Sequence, residues 1–259
     1  MRATPLGADV RARVVGDLVN GVLLTGVVLA PAAAVAAASL DRSLPFQALV
    51  WFGLLAIGLG LLFAYSGLPG AVLHPLAGVI GGAAVLYFVA NVLPNVPPDT
   101  SLTDRLGVLG DDAGNWYQQI TTGGQSTDNL LFLLALALLA WLIGYIGAWC
   151  VFRERSAWWP ITTSTTAMAF VLSTFPKDDV YLLLEVVAGL LLAGRVNLLA
   201  RQATWETNGV RPASGVSGRA TRAALALPLA LVALAWLLPA AMTEPPWSQQ
   251  LALYRRPWQ

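Results

Sequence analysis

A thiol and an imidazole are a ready-made nucleophile and base, and this chain holds one of each, Cys150 and His74. Each sits near the end of a long apolar run, so an encounter between them is geometrically open. No second histidine exists to complete a relay, and nothing obvious in the sequence orients the ring. The competing reading is structural: Cys150 as a packing residue at a helix end, and His74, which precedes Pro75, at the entrance of another apolar segment. A single cysteine excludes an intrachain disulfide. One cysteine and one histidine together exclude most zinc sites.

Ionisable and amide side chains inside apolar runs form the second group, because such groups in a membrane mark ion paths, relays or interhelical pairs. Glu185, Arg195 and Asn197 fall in one run, Asn91 closes another, and Asp17 and Asn20 open the first. Glu185 and Arg195 are ten positions apart, about 15 Å along a helix, which is too far for a direct bond. These groups lie mostly toward the ends of their runs, where snorkelling or pairing between helices competes with a transport role. Thr162, Thr163, Ser164, Thr165, Thr166, Ser173 and Thr174 make one run rich in hydroxyls. They either line a polar path or bond back to their own helix or across to a neighbour. Gly78-xxx-Gly82 offers a site of close helix packing. Phosphate-binding loops, dinucleotide fingerprints, HExxH and the GxSxG elbow do not occur, and nothing signals a cofactor.

What must position these residues is set by composition. Of 259 residues, 57% are hydrophobic and 11% charged, against roughly 25% charged in an average soluble domain. The charges are bunched between long apolar runs, as expected of an integral membrane protein whose partner is the lipid bilayer. Ten Trp and sixteen Pro suit interfaces and spanning helices. A net charge of +1 with no basic face excludes a nucleic-acid surface. A span needs about 20 apolar residues, and seven stretches qualify: 15–38, 47–66, 71–93, 130–152, 157–176, 179–200 and 223–241. Alternating strand patterns are absent, so the fold class is all-α, a polytopic bundle of about seven transmembrane helices forming one membrane domain over 1–259.

Orientation follows from Lys and Arg. With the N-terminus inside, Arg2, Arg11, Arg13, Arg153, Arg155, Arg201, Arg211, Arg219 and Arg222 are cytoplasmic. Only Arg42, Arg105 and Lys177 lie in the intervening outer loops, and seven spans leave the C-terminus outside. The segment up to Ala38 also has the layout of a secretory signal. Its apolar run is longer than a signal core, so an uncleaved helix is expected, and cleavage would leave six spans. The outer insert 94–129 starts with prolines and then a capping pair, Ser101 and Asp104. Leu102, Leu106 and Leu109, then Trp116, Tyr117 and Ile120, predict one or two short helices on the membrane surface. The Arg-rich loop 201–222 faces anionic headgroups in the cytoplasm. The predicted location is the cell membrane, crossed several times.

A set of landmarks extends this reading. Asp128-Asn129-Leu130-Leu131-Phe132, Trp141-Leu142-Ile143-Gly144-Tyr145, Trp149 and Val151-Phe152-Arg153 resemble the N-terminal membrane region of bacterial transglutaminase-like proteins of the TgpA type. Trp158-Trp159, the Arg-Val-Asn-Leu-Leu-Ala-Arg run from Arg195 to Arg201 and Trp205 fit the same layout. So do Thr103-Asp104-Arg105-Leu106 and Trp116 upstream, and Trp236-Leu237-Leu238-Pro239 and Pro257-Trp258 downstream. The resemblance covers about 100–260. In that family the bundle precedes an extracytoplasmic transglutaminase-like domain with a Cys-His-Asp triad, and no residue here matches that triad. The resemblance therefore implies a non-catalytic membrane module that anchors and positions such a domain, whether continued in the same protein or encoded as a separate partner. Trp116, Tyr117 and Trp247 are the expected interface anchors. A transporter or permease subunit using Glu185, Arg195 and the hydroxyl-rich run is the alternative, and an intramembrane enzyme built on Cys150 and His74 a third.

Overall fold

The computed structural model describes residues 6–39, 44–93, 96–97, 99–122, 129–174 and 179–209, with Ala226 and Ala230. All regular structure among them is helical: α1 Leu6–Ala38, α2 Ala48–Ala64, α3 Gly70–Asn91, α4 Leu102–Thr121, α5 Asn129–Phe152, α6 Trp158–Thr174 and α7 Asp179–Thr207. Four segments, Gly16–Ala38, Gly70–Asn91, Leu130–Phe152 and Val180–Gln202, are long and apolar enough to cross a membrane, and α2 is a shorter apolar helix. The chain is therefore an all-helical protein suited to a bilayer. The expected seventh span 223–241, most of the Arg-rich loop 201–222 and Trp247 lie outside the described residues.

The apolar helices carry hydrophobic side chains around their whole circumference, as helices embedded in lipid do. Large residues such as Trp51, Leu62 and Val79 point outward, where hydrocarbon is as good a solvent for them as a protein core. Alanine and glycine turn inward at the closest contacts, because in lipid helices associate by backbone approach and packing rather than by escape from water. The α2–α5 seam shows this. A Cβ at Gly60 would sit 2.7 Å from the Tyr145 carbonyl oxygen, and one at Gly144 would sit 2.8 Å from that of Gly53. Helix α5 is the hub, packed against α1, α2, α3 and α6, while α7 lies chiefly along α1.

Glycine also decides how α3 meets α5. The Trp141 indole lies over Gly81, and its Nε1 donates to the Ala77 carbonyl at 3.1 Å. Gly78 and Gly82, the pair expected to mark close packing, have no neighbour within 4 Å of an added Cβ and face away from the described bundle. The motif is present, but the contact uses the adjacent face of the helix, because the wide indole needs a flat bed at Gly81.

Within the insert, α4 is one continuous 20-residue helix. Ser101 Oγ accepts from the Asp104 backbone N–H at 3.2 Å and donates to Asp104 Oδ2 at 2.7 Å, so the capping pair forms as expected. Leu109 is buried in the main core, with Ala113 packed against it, while Asp111, Asn115 and Gln118 stay exposed. Gly81→Val drives a branched side chain into the Trp141 ring and should cost about 1–3 kcal/mol. Gly78→Val, with open space around it, should change stability by less than about 0.5 kcal/mol. Unfolding of both variants in bicelles, followed by tryptophan fluorescence, measures the difference.

Candidate functional site

The helices alternate in direction, so the polar groups near their ends collect at two levels. One end of the bundle holds the start of α1, the end of α2, the start of α3, the end of α5 and the turn of α7 at Arg195. There Arg153 donates from Nη1 to the Ser66 carbonyl at 2.9 Å and from Nη2 to that of Leu68 at 3.1 Å, stapling the α2–α3 connection to α5. Its guanidinium lies 4.6 Å from the centre of the Trp149 ring, a cation–π contact, and Trp149 Nε1 donates to Glu154 Oε1 at 3.1 Å.

His74 joins this cluster. Its Nδ1 is 2.9 Å from the Tyr145 hydroxyl, and its ring meets that of Trp149 edge-on at 4.6 Å. Gly70 leaves room for both, since a Cβ there would lie 3.1 Å from His74 Nε2 and from the Trp149 ring. Cys150 is buried one residue further along α5, and His74 makes its described contacts with Tyr145 and Trp149, not with the thiol. The sequence put these two residues at the same end of the bundle, but the helical rotation between positions 149 and 150 separates them. The aromatic shell of Tyr145 and Trp149 was the part the sequence reading missed; its signal was the spacing of those two residues, i and i+4, one helical face.

Arg195 pairs neither with Glu185 nor with solvent alone. Its Nε donates to Oδ1 of Asn20 at 3.0 Å, and its Nη2 reaches the Gly16 carbonyl at 3.4 Å. Asn20 is 4% exposed, so the start of α1 and this turn of α7 are tied by a charge-assisted bond. Nearby, the Tyr65 hydroxyl donates to Asp17 at 2.6 Å and links α2 to α1. Asn197 is exposed, on the rim of a crevice of about 410 Å³ with Arg155, Ser156 and Trp158. It is not brought together with Arg195 or Glu185 in any described bond.

Glu185 stands apart from all of these. It is 2% exposed, and neither carboxyl oxygen completes a hydrogen bond among the described residues. The hydroxyls of Thr165 and Ser164 lie nearby without reaching hydrogen-bond geometry.

The hydroxyls of α6 are mostly spent on backbone. Thr162, Thr163 and Thr166 donate to carbonyls one turn back in α6, and Ser173 and Thr174 do the same. Three of them border a groove of about 640 Å³ between α1, α5 and α6 whose other walls include Pro31, Ile143, Ile146 and Phe170. With their hydrogens turned to the helix, these threonines present methyl groups as much as oxygen, and the groove is apolar. Ser164 is different: its hydroxyl donates across the bundle to the Val27 carbonyl at 2.7 Å. That carbonyl is free because the residue four positions on in α1 is Pro31, which has no N–H.

No protein-family model, curated protein or solved structure matches this chain.

Loss of the Ser164 hydroxyl leaves a buried carbonyl unpaired, so Ser164→Ala should destabilise the fold by about 1–3 kcal/mol. Pro31→Ala restores the missing donor inside α1, and the double variant should be less destabilised than Ser164→Ala alone. Equilibrium unfolding of the four proteins in bicelles gives the coupling.

Proposed function

We propose that this chain is a non-catalytic membrane module that anchors and positions an extracytoplasmic transglutaminase-like domain, held in the same protein or in a partner. The observation that carries this reading is the way α4 is fixed to the rim of the bundle. Arg105 donates to Asn91 Oδ1 at 2.8 Å, to the Thr100 carbonyl at 3.1 Å and to the Pro97 carbonyl at 3.3 Å, joining α3, the entering loop and α4. Such a cluster gives a rigid shelf, and Trp116 and Tyr117 stand exposed on it. Several bonds from one planar guanidinium hold an orientation far better than a flexible linker does.

The distribution of Arg supports placing this shelf outside and the Arg153 cluster inside, with seven spans and both the bundle and its attached domain on the cell membrane. A scaffold also needs little polar chemistry in its core, and the described interior spends its hydroxyls, indoles and guanidinium groups on interhelical or backbone bonds. A second reading, a transporter or permease subunit, draws on one observation, the buried and unpartnered carboxyl of Glu185. It requires a flux that disappears in Glu185→Gln while the protein still inserts.

A photoreactive amino acid at Tyr117 in intact cells should crosslink to a transglutaminase-like domain, identified by mass spectrometry. Adducts to lipid alone would overturn the anchoring role. In a Cys150→Ser background, Gln118→Cys should react with an impermeant maleimide from outside, and Asn208→Cys only after permeabilisation. The reverse pattern would overturn the orientation.

A further inference from the structure

Glu185 projects from the face of α7 that packs on α1 and α6. One turn along this face, Ala188 meets the backbone of α1 at Gly26, where an added Cβ would lie 3.1 Å from the alanine methyl. Next to it Gly189 faces Ile161 of α6. The Glu185 carboxyl is buried on this face, along which Ala188 and Leu192 pack in one cluster with Val27 of α1.

Among the described residues, the elements around it offer no countercharge. Between Asn20 and Ala38, α1 has no ionisable residue, and α6 has none from Trp158 to Thr174. Nor does α5 carry an ionisable cation from Asn129 to Phe152; its titratable groups there are Tyr145, held by His74, and Cys150. Asp17, at the start of α1, is bonded to Tyr65. On α7 itself, Arg195 lies about 15 Å away along the helix and is engaged by Asn20 and Gly16. Asp179 and Arg201 sit near the two ends of that helix.

The hydroxyls cannot replace a countercharge. Ser164 has one hydrogen, and it is given to the Val27 carbonyl. Toward Glu185 that oxygen can only accept. Of the two described hydroxyls near the carboxyl, Thr165 is left to donate, and one neutral hydroxyl does not offset the several kcal/mol that an ion loses on leaving water. A hard metal ion would need about six or more oxygen ligands, and this layer supplies the carboxyl and two hydroxyls. A proton, by contrast, needs no ligand set: it removes the charge itself, and the neutral acid is far cheaper to bury than the ion.

We propose that Glu185 is an intramembrane proton-binding site: it is carried at neutral pH as the neutral carboxylic acid, near the hydroxyls of Ser164 and Thr165. The Pro31–Val27–Ser164 linkage makes this site, since by consuming the serine hydrogen it turns Ser164 into an acceptor. Loss of the proton puts an unpaired negative charge between α1, α6 and α7, so alkaline pH should loosen the contact of α7 with its neighbours. The site stands whether the bundle anchors a domain or moves a solute.

Infrared spectroscopy of the full chain in lipid nanodiscs tests this directly. Labelling with ¹³C-glutamate picks out glutamate carboxyls, and Glu154, Glu206 and Glu244 lie outside the apolar spans. At neutral pH the labelled protein should show one isotope-shifted carboxylic-acid C=O band, lost in Glu185→Gln and moved to higher frequency in Thr165→Val. The band should fade as the pH is raised. A spectrum of the labelled wild-type protein with only carboxylate bands at neutral pH would overturn the proposal, and it needs no variant to fold. A carboxylic-acid band that survives in Glu185→Gln would overturn it too.

Discussion

In hydrocarbon, a backbone carbonyl that loses its helical partner has no water to turn to, and Pro31 creates that situation in the middle of α1. The carbonyl of Val27 is answered by Ser164, 137 positions away in sequence. That one bond fixes the rotation of α6 relative to α1. With α6 so turned, its remaining hydroxyls face their own backbone or the apolar groove, Ile161 reaches Gly189, and Ser164 and Thr165 come beside Glu185. A proline that would be a defect in an isolated helix thus sets the register of three helices.

Two kinds of contact share the work of holding the bundle. Where helices must come closest, small residues remove the obstacle, as at the Gly60 and Gly144 contacts between α2 and α5. Where the angle must be set, a polar group does it: Trp141 on Ala77, Arg195 on Asn20, Arg153 on Ser66 and Leu68. The Trp141 donor, being buried, would be costly to leave unmatched, so this bond penalises wrong arrangements more than it adds to the depth of the right one. Packing supplies adhesion and polar matching supplies geometry.

The helical class and the places where apolar runs stop were legible in the sequence, because lipid imposes one rule on every span: satisfy the backbone internally and be apolar outside. The Ser101–Asp104 cap was legible for the same reason, being a local pattern of three-residue spacing. What was not legible was rotation about helix axes. A low contrast between the faces of these helices gives no stripe to say which side turns inward, so Gly78 and Gly82 read the same as Gly81. His74 and Cys150 read as neighbours by depth alone. The distance of Glu185 from Arg195 followed from helical rise, whereas the pairing of Arg195 with Asn20 joins elements 175 positions apart and has no local signal.

The two ends of the bundle are built on different principles, and the difference bears on function. At one end Arg153 bonds to the α2–α3 connection and His74 of α3 meets Tyr145 and Trp149 of α5, so polar and aromatic contacts there tie α5 to its neighbours. At the other, Arg105 ties α4 to the rim while the outer side of that helix is left to face away from the bundle. Among the described residues, the layer between them holds a buried carboxyl, Glu185, and hydroxyls mostly turned to backbone. A conduit would need polar groups that continue from one end to the other and can exchange partners. Among the described residues the hydroxyls of α6 are mostly given to backbone carbonyls, and the Glu185 carboxyl is left without a partner. The polar contacts that set geometry therefore gather at the two ends, and the described layer between them leaves one carboxyl without a hydrogen-bond partner.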